Sequence, residues 1–228
     1  MGMDGWKKVK LGDVISYIAR GITPKYTTEN EGMTVINQRC IRDFTLSLEN
    51  ARYHALKKKN VTEEKRIKKY DILINSTGVG TLGRVCQNFF ESKNNLTVDS
   101  HVTIVRPNIE KINPIYLGYA LKEKQQKIES LGEGTTGQTE LKRERLLSEI
   151  DIVYPENRVL QKKIADFFLR VDEKIELNNE INNNFFNLLL FYIMVSFIIL
   201  FVIHLFRQTA ILVTIISLFL LIFHSRYN

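Results

Sequence analysis

Three glycines, Gly78, Gly80 and Gly83, follow a compact apolar run at residues 71–75, and Asp99 stands sixteen residues beyond the last of them. That order outlines a dinucleotide-binding turn, in which glycines let the backbone approach a pyrophosphate and an acid holds a ribose. Such a turn needs a helix opening at the third glycine, so that the helix N-terminus faces the phosphates. Residues 84–89 read instead as a strand, which sets the dinucleotide reading aside. Two readings stay open. One is a plain glycine turn between strands. The other is a backbone-approach loop on a phosphate chain, because small residues with Ser76, Thr77 and Arg84 can sit close to DNA.

Basic side chains form a second signal. Lys57, Lys58, Lys59, Lys65, Arg66, Lys68 and Lys69 make one cluster, and Lys142, Arg143 and Arg145 another. Neutralising phosphates needs such groups. Glu63, Glu64, Glu140 and Glu144 are interleaved, however, so each cluster alone reads as a solvated face. Together, at a sequence pI of about 9.3, they favour a polyanionic partner. Catalytic motifs are missing: there is no GxxxxGK[ST], HExxH or GxSxG. The four prolines are never adjacent, which excludes the Asn/Asp-Pro-Pro-aromatic loop that holds a target amine in amino-methyltransferases of nucleic acid. Glu140-Leu141-Lys142 is half of a nuclease ExK pair without its upstream Pro-Asp. His54 and His101 are isolated, and His101 reads as structural or DNA-facing. An enzyme working alone is disfavoured.

The elements that would position these residues are mixed. Residues 6–9 read as a strand and 11–15 as a helical turn. Strands are expected at 33–37, 71–75, 84–89, 98–106 and 152–155. Residues 57–69 read as a loop or exposed helix. Asn113 and Pro114 fit the cap and first turn of an amphipathic helix carrying Leu117, Leu121, Ile128 and Leu131. Thr139 is expected to cap a short basic helix through Ile150, after a second glycine loop at 132–138. Strands and helices without regular βαβ alternation predict an α+β domain over residues 1–155. From Glu156 the pattern changes. Leu160, Ile164, Phe167, Val171, Ile175 and Ile181 recur at spacings of three to seven, a helix with a narrow apolar seam that needs a partner helix. Over 158–184 it would be roughly 40 Å long at about 1.5 Å per residue.

Composition divides the chain again. It has 228 residues, 44% hydrophobic and 25% charged, figures that exclude disorder and a disulfide-rich mini-protein. Yet residues 185–228 hold no Asp or Glu, two arginines (Arg207 and Arg226) and 32 apolar residues out of 44. The first 184 residues therefore carry 30 Lys+Arg against 25 Asp+Glu, a net of +5. Cys40 and Cys86 are isolated, which fits a reducing, cytoplasmic setting. Residues 1–10 are polar and lack the apolar run of a signal peptide.

WKKVKLGDVI at 6–15, GITPK at 21–25, VINQ at 35–38, DILINSTGVGTLGR at 71–84, VDSHVTIVRP at 98–107, GEGTTGQTEL at 132–141, QKKIA at 161–165 and DEKIELN at 172–178 together resemble the DNA-specificity subunit of Type I restriction–modification systems. Each motif alone is weak, while their order and spacing are specific over about residues 6–184. The resemblance implies a target-recognition domain followed by a spacer helix at 156–184, non-catalytic by itself. It implies double-stranded DNA, modification (methyltransferase) subunits and a restriction/motor subunit as partners. S-adenosylmethionine, ATP and Mg are expected on those subunits and no cofactor on this chain. A full specificity subunit carries two such halves, each reading one half of a split site. This chain holds one, so a second copy or the other half would complete it, with Leu160, Ile164, Phe167, Val171, Ile175 and Ile181 as the pairing face. The resemblance also gives the glycine loops a role. Lys25, Gln38, Arg39, Ser76, Thr77, Gly78, Gly80, Thr81, Arg84, Thr135, Thr136 and Gln138 are expected to approach DNA. Gln and Arg suit base edges, and Ser, Thr and Lys suit phosphates.

The sequence departs from that family after Asn184, where a polar amphipathic helix would continue. Residues 188–206 are long enough to span a bilayer of about 30 Å, and residues 210–223 are short for one. Three readings of the tail stay open: an out-of-frame extension replacing a lost second half, a membrane anchor, or a buried partner-binding helix. Alternatives to a half-length specificity subunit are a membrane-anchored basic binding protein, a truncated non-functional subunit, and a nuclease or nucleotide-dependent enzyme built on the glycine loop.

Overall fold

The computed structural model describes residues 5–28, 32–91, 95–134 and 139–227. It comprises two compact units, Met1–Leu169 and Arg170–Asn228. The fold is α+β, a strand-rich domain followed by a long C-terminal helix.

In the first unit, β1 (Trp6–Lys10) leads through a 3-10 turn, Leu11–Val14, into β2 (Ile15–Arg20). Short strands β3 (Tyr26–Thr27), β4 (Met33–Ile36), β5 (Ile41–Arg42), β6 (Thr45–Leu46) and β7 (Arg52–His54) follow. Next come β8 (Ile72–Asn75), β9 (Val85–Gln87), β10 (Leu96–Val98) and β11 (Val102–Pro107). Helices α1 (Pro114–Glu123) and α2 (Gln125–Ser130) precede β12 (Gly132–Glu133) and β13 (Glu140–Leu141). The unit closes with α3 (Arg143–Glu149), β14 (Asp151–Pro155) and the start of α4 (Arg158–Tyr227).

Two four-stranded sheets organise these pieces. One has the order β2-β11-β8-β9, antiparallel throughout. The other has the order β10-β4-β7-β3, with β10 and β4 parallel. Strand β8 shows why its sequence is apolar at every position. Ile72 and Ile74 turn to the core shared with Leu117, Leu121 and Ile128 of the helices. Leu73, on the opposite face, joins Ile36, Ile41, Val98 and Ile104. A strand covered on both sides loses the polar half of its alternation. β1 and β14 pair antiparallel from Trp6–Pro155 to Lys10–Asp151, tying the two ends of the domain together.

The fully buried acid of the sheet, Asp71, is paired. Asp71 is fully buried just before β8 and takes two bonds from Arg106 on β11, Nε to Oδ1 at 2.8 Å and Nη2 to Oδ2 at 2.7 Å. The Lys68 amide adds a third at 2.8 Å, and Arg106 also donates to the Arg66 carbonyl at 2.9 Å. The Arg106 guanidinium lies 5.1 Å from the Tyr17 ring centroid, so its exposed face is covered as well.

Three expected elements differ. The single strand at 98–106 is two strands in two sheets. It breaks because the Asp99 carboxylate accepts the His101 amide at 2.9 Å, closing an Asx turn. The single helix through Leu131 divides at Lys124, where the Gln125 side chain leaves the helix surface to accept the Val85 amide at 3.1 Å. The helix expected from Thr139 starts at Arg143 instead. Glu140 and Leu141 extend to pair with β12, and the Leu141 amide reaches the Ser76 carbonyl at 2.8 Å.

α4 is capped by Asn157, whose Oδ1 accepts the Val159 and Leu160 amides at 2.9 and 3.2 Å. Gln161 seats its first turn on the domain. The side chain is fully buried, donates to the Pro155 carbonyl at 2.8 Å and accepts the Asn113 amide at 2.7 Å. Ala165 is buried, Ile164 packs partly on the core, and Phe168 stacks on Tyr119 at 5.2 Å. In the second unit the helix runs on past Asn184 without a break, and none of residues 170–207 is buried. The stretch Arg158–Arg207 has an 18-residue window of mean hydropathy 2.8, long and apolar enough to cross a membrane by length and composition.

Candidate nucleic-acid interface

β8 ends at Asn75 and the chain turns back into β9 through the glycine loop. Gly78, Gly80 and Gly83 all have positive φ, at +103°, +69° and +83°. Val79, at the loop's apex, is 78% exposed. The loop is held at its base: the Gly83 amide donates to the Asn75 carbonyl at 2.8 Å and the Leu82 amide to the Gly78 carbonyl at 3.0 Å. The Arg84 guanidinium reaches back to the Gly80 carbonyl at 2.9 Å. Among the described residues, the amides of Val79 and Gly80 donate to no other group, while Gly78 flanks the bridge that pairs Thr77 with Glu140. Successive free amides beside left-handed residues form a concavity suited to an anion.

Beside this loop lies an open cleft of about 290 Å³. Asn37, Gln38 and Arg39, from the turn after β4, form one wall. Tyr26 of β3, Asn50 from the turn before β7 and Arg52 of β7 form another, and Asp99 and His101, from the turn between β10 and β11, complete it. The loop and cleft are continuous. The Thr77 hydroxyl meets His101 Nδ1 at 2.7 Å, and Asn75 Nδ2 donates to the Gln38 carbonyl at 3.0 Å. A Cβ at Gly78 would lie 3.2 Å from the Gln38 amide nitrogen.

The lining residues divide by the work they already do. Asn37 is occupied: its Oδ1 accepts the Arg39 amide at 2.8 Å and its Nδ2 donates to the Asn50 carbonyl at 2.6 Å. This fixes the turn that presents Gln38 and Arg39, whose side chains form no hydrogen bond or ion pair among the described residues. Arg52 lies over the Tyr26 ring at 3.4 Å from its centroid, a cation–π contact that holds the guanidinium at the cleft mouth. Burial pushes the Asp99 carboxyl above its usual range, against the lowering effect of the His101 amide. Burial and the charge of Asp99 raise the Tyr26 hydroxyl, opposed by Arg52.

The expected DNA-facing residues fall into four groups. Gln38, Arg39, Thr77, Gly78, Gly80, Thr81 and Arg84 come together at the cleft and loop. Lys25 is exposed beside Tyr26, its amide bound to His54 Nδ1 at 2.9 Å. Ser76 is a correction. It is fully buried, and its hydroxyl bonds Thr103 Oγ1 at 2.5 Å, so it ties β8 to β11 and presents nothing to a phosphate. Thr135, Thr136 and Gln138 lie outside the described residues. Of the seam, Ile164 is partly covered, while Leu160, Phe167, Val171, Ile175 and Ile181 are 38–62% exposed.

The basic clusters behave as their interleaved acids suggest. Arg66 pairs with Glu63 at 3.1 Å, Lys69 with Glu91, Lys142 with Glu133 at 2.5 Å, and Arg145 with both Glu149 and Glu133. Sequence reading missed Tyr26, Asn50, Arg52, Asp99 and His101 as one site. They are spread over 75 residues of chain, and the pairing of β3, β7, β4 and β10 in one sheet brings them together. His54 is structural. It is fully buried, with Nδ1 accepting from Lys25 and Nε2 therefore donating to the Lys59 carbonyl at 2.7 Å.

Comparison with known proteins gives a consistent picture. A family model described as the Type I restriction modification DNA specificity domain matches residues 3–184. No curated protein matches. Among solved structures, the chain is similar to the Type I restriction-modification system S subunit from M. genitalium, at 20% identity and a TM-score of 0.51 over 75% of this chain and 40% of that one. It is also similar to the HsdS subunit from Thermoanaerobacter tengcongensis, at 16% identity and a TM-score of 0.54 over 75% and 38%. A chain solved in work on complex assembly of the type I R-M system gives 17% identity and a TM-score of 0.56 over 75% and 39%. These likenesses are of fold. The chain spans about two fifths of the length of the solved chains it matches.

Proposed function

Since the chain belongs to the family of Type I restriction modification DNA specificity domains, we propose that it reads one half of a bipartite DNA site and directs a Type I complex there. Specificity subunits of this family are non-catalytic. Modification subunits would carry S-adenosylmethionine and the adenine chemistry, and a motor subunit would carry ATP, Mg and cleavage. The exposed seam from Leu160 to Ile181 would seat those subunits, a second copy or the other half of the specificity subunit. The complex would work in the cytoplasm.

One observation carries the reading: the side chains of Gln38 and Arg39, without a hydrogen-bond or ion-pair partner among the described residues, stand in a cleft continuous with a loop that offers unpaired amides. Phosphate contacts set register on the duplex and base-edge contacts set sequence. The glycine loop with Thr77 and Thr81, and Lys25 beside Tyr26 at the cleft, serve the first role. Gln38 and Arg39 serve the second: the glutamine amide, one acceptor and one donor, matches an adenine edge, and the arginine's forked donors match a guanine edge.

Co-expression with the modification subunit, followed by methylome sequencing, tests this directly. A new split-site motif is the expected result, and an unchanged methylome would overturn the proposal. Arg39→Ala should relax one base position, at about 1–3 kcal/mol of lost discrimination. Arg84→Ala should act differently. It frees the Gly80 carbonyl and loosens the loop, so binding should weaken by a similar factor on all sequences. Affinity unchanged throughout a salt titration would count against a phosphate role for this loop.

A further inference from the structure

Asp99 is the one acid in a cleft otherwise lined by amides, arginines, a tyrosine and a histidine. Its place is fixed on every side. The backbone amide donates to the Ile36 carbonyl at 2.9 Å and the backbone carbonyl accepts the Val102 amide at 3.2 Å. Oδ1 takes the His101 amide. The residue is 4% exposed, and no ion pair with it forms among the described residues. A carboxylate so held cannot swing away from a ligand entering the cleft.

The chemistry of DNA narrows what such a group can meet. Phosphate and deoxyribose oxygens only accept hydrogen bonds, and phosphates repel a carboxylate. The donors on a duplex are the exocyclic amino groups of its bases, adenine N6 and cytosine N4 in the major groove and guanine N2 in the minor. An unpaired acid in a DNA-facing cleft therefore costs affinity unless an amino group reaches it.

Resting on the DNA-reading role proposed above, we propose that Asp99 is a specificity-determining residue that accepts a hydrogen bond from the exocyclic amino group of an adenine or cytosine in the major groove. Gln38, in the same cleft, supplies the neighbouring donor and acceptor. Asp99 thereby rejects thymine and guanine at that position, whose major-groove edges present only acceptors there.

Asp99→Asn is the test variant, because the amide oxygen can still accept the His101 amide and keep the turn. The modification complex assembled with wild type should yield a motif with one strict adenine or cytosine that becomes degenerate toward guanine or thymine with Asp99→Asn. The other positions should hold. Binding of the variant to unrelated DNA should rise severalfold as a negative charge leaves the cleft. Independently of any variant, wild-type complex is titrated with duplexes in which each adenine of the motif is replaced by purine or each cytosine by 2-pyrimidinone, removing one amino group at a time. One replacement should cost about tenfold or more in affinity, and its identity distinguishes adenine from cytosine. If no replacement costs more than twofold, or if Asp99→Asn leaves every position as strict as before, the assignment to Asp99 is wrong while the DNA-reading role stands. A wild-type complex that yields no motif overturns both.

Discussion

Asp71→Ala should destabilise the recognition domain by about 3–5 kcal/mol, the range for removing one partner of a buried ion pair. The carboxylate has no exposure and accepts three hydrogen bonds, two of them from Arg106. Without it, the guanidinium is left with two backbone carbonyls and the Tyr17 ring, its charge mostly desolvated. Denaturant unfolding of the full chain measures the loss. Replacing both partners, Asp71→Leu with Arg106→Met, should recover much of it, since a well-packed apolar pair avoids the desolvation of two charges. If Asp71→Ala falls below about 1 kcal/mol, the pair is solvated and contributes only as a surface bridge would.

The second large effect compares two glycines of one loop. Gly80 and Gly83 both have left-handed backbones, and an alanine there costs roughly 1–2 kcal/mol for that conformation alone. Their surroundings differ. Nothing lies within 4 Å of a Cβ on Gly80, whereas one on Gly83 would lie 2.7 Å from the Glu129 Cα and 2.8 Å from its nitrogen. α2 would have to move, and overpacking of that kind adds about 1–3 kcal/mol. Gly83→Ala should therefore lower stability by about 2–5 kcal/mol and weaken DNA binding on every sequence, because it shifts the whole loop. Gly80→Ala should cost no more than about 2 kcal/mol. Equal losses for the two variants would mean that α2 does not buttress the loop.

Much of the architecture was legible in the chain. The apolar run at 71–75, the Asn113–Pro114 helix start and the closing strand at 151–155 carry local signals, so pattern and position coincide. Asn113 Oδ1 does accept the Ile115 and Tyr116 amides, both at 3.0 Å. What escaped depends on long-range pairing. The turn at Asp99–His101 lies inside a stretch that reads as one alternating strand, with Ser100 on the face of Val98, Val102 and Ile104, and a side-chain hydrogen bond overrides it. The strand at Glu140–Leu141 has no pattern of its own and exists because β12 and Ser76 supply partners. The cleft escaped for the same reason, being assembled from strands of two to four residues. The seating of α4 was hidden differently. The face it turns to the domain is Gln161, Ile164, Ala165 and Phe168, at helical spacing, but two of the four are a glutamine and an alanine. The conspicuous stripe of Leu160, Phe167, Val171 and Ile175 is the one left exposed.

The division of labour within the cleft has an evolutionary reading. Fully buried Cys40 follows Arg39, and fully buried His54 stands two residues after Arg52 on β7, so each arginine is carried by an anchored backbone. Asn37 shapes the turn through its own hydrogen bonds and leaves Gln38 and Arg39 free to vary. Gln38 and Arg39 are thus separable from the residues that hold the domain together, whereas Asp99 also closes the turn before β11. New target sequences can be reached by changing a few outward side chains on a constant scaffold, each step leaving core packing and the Asp71–Arg106 pair untouched.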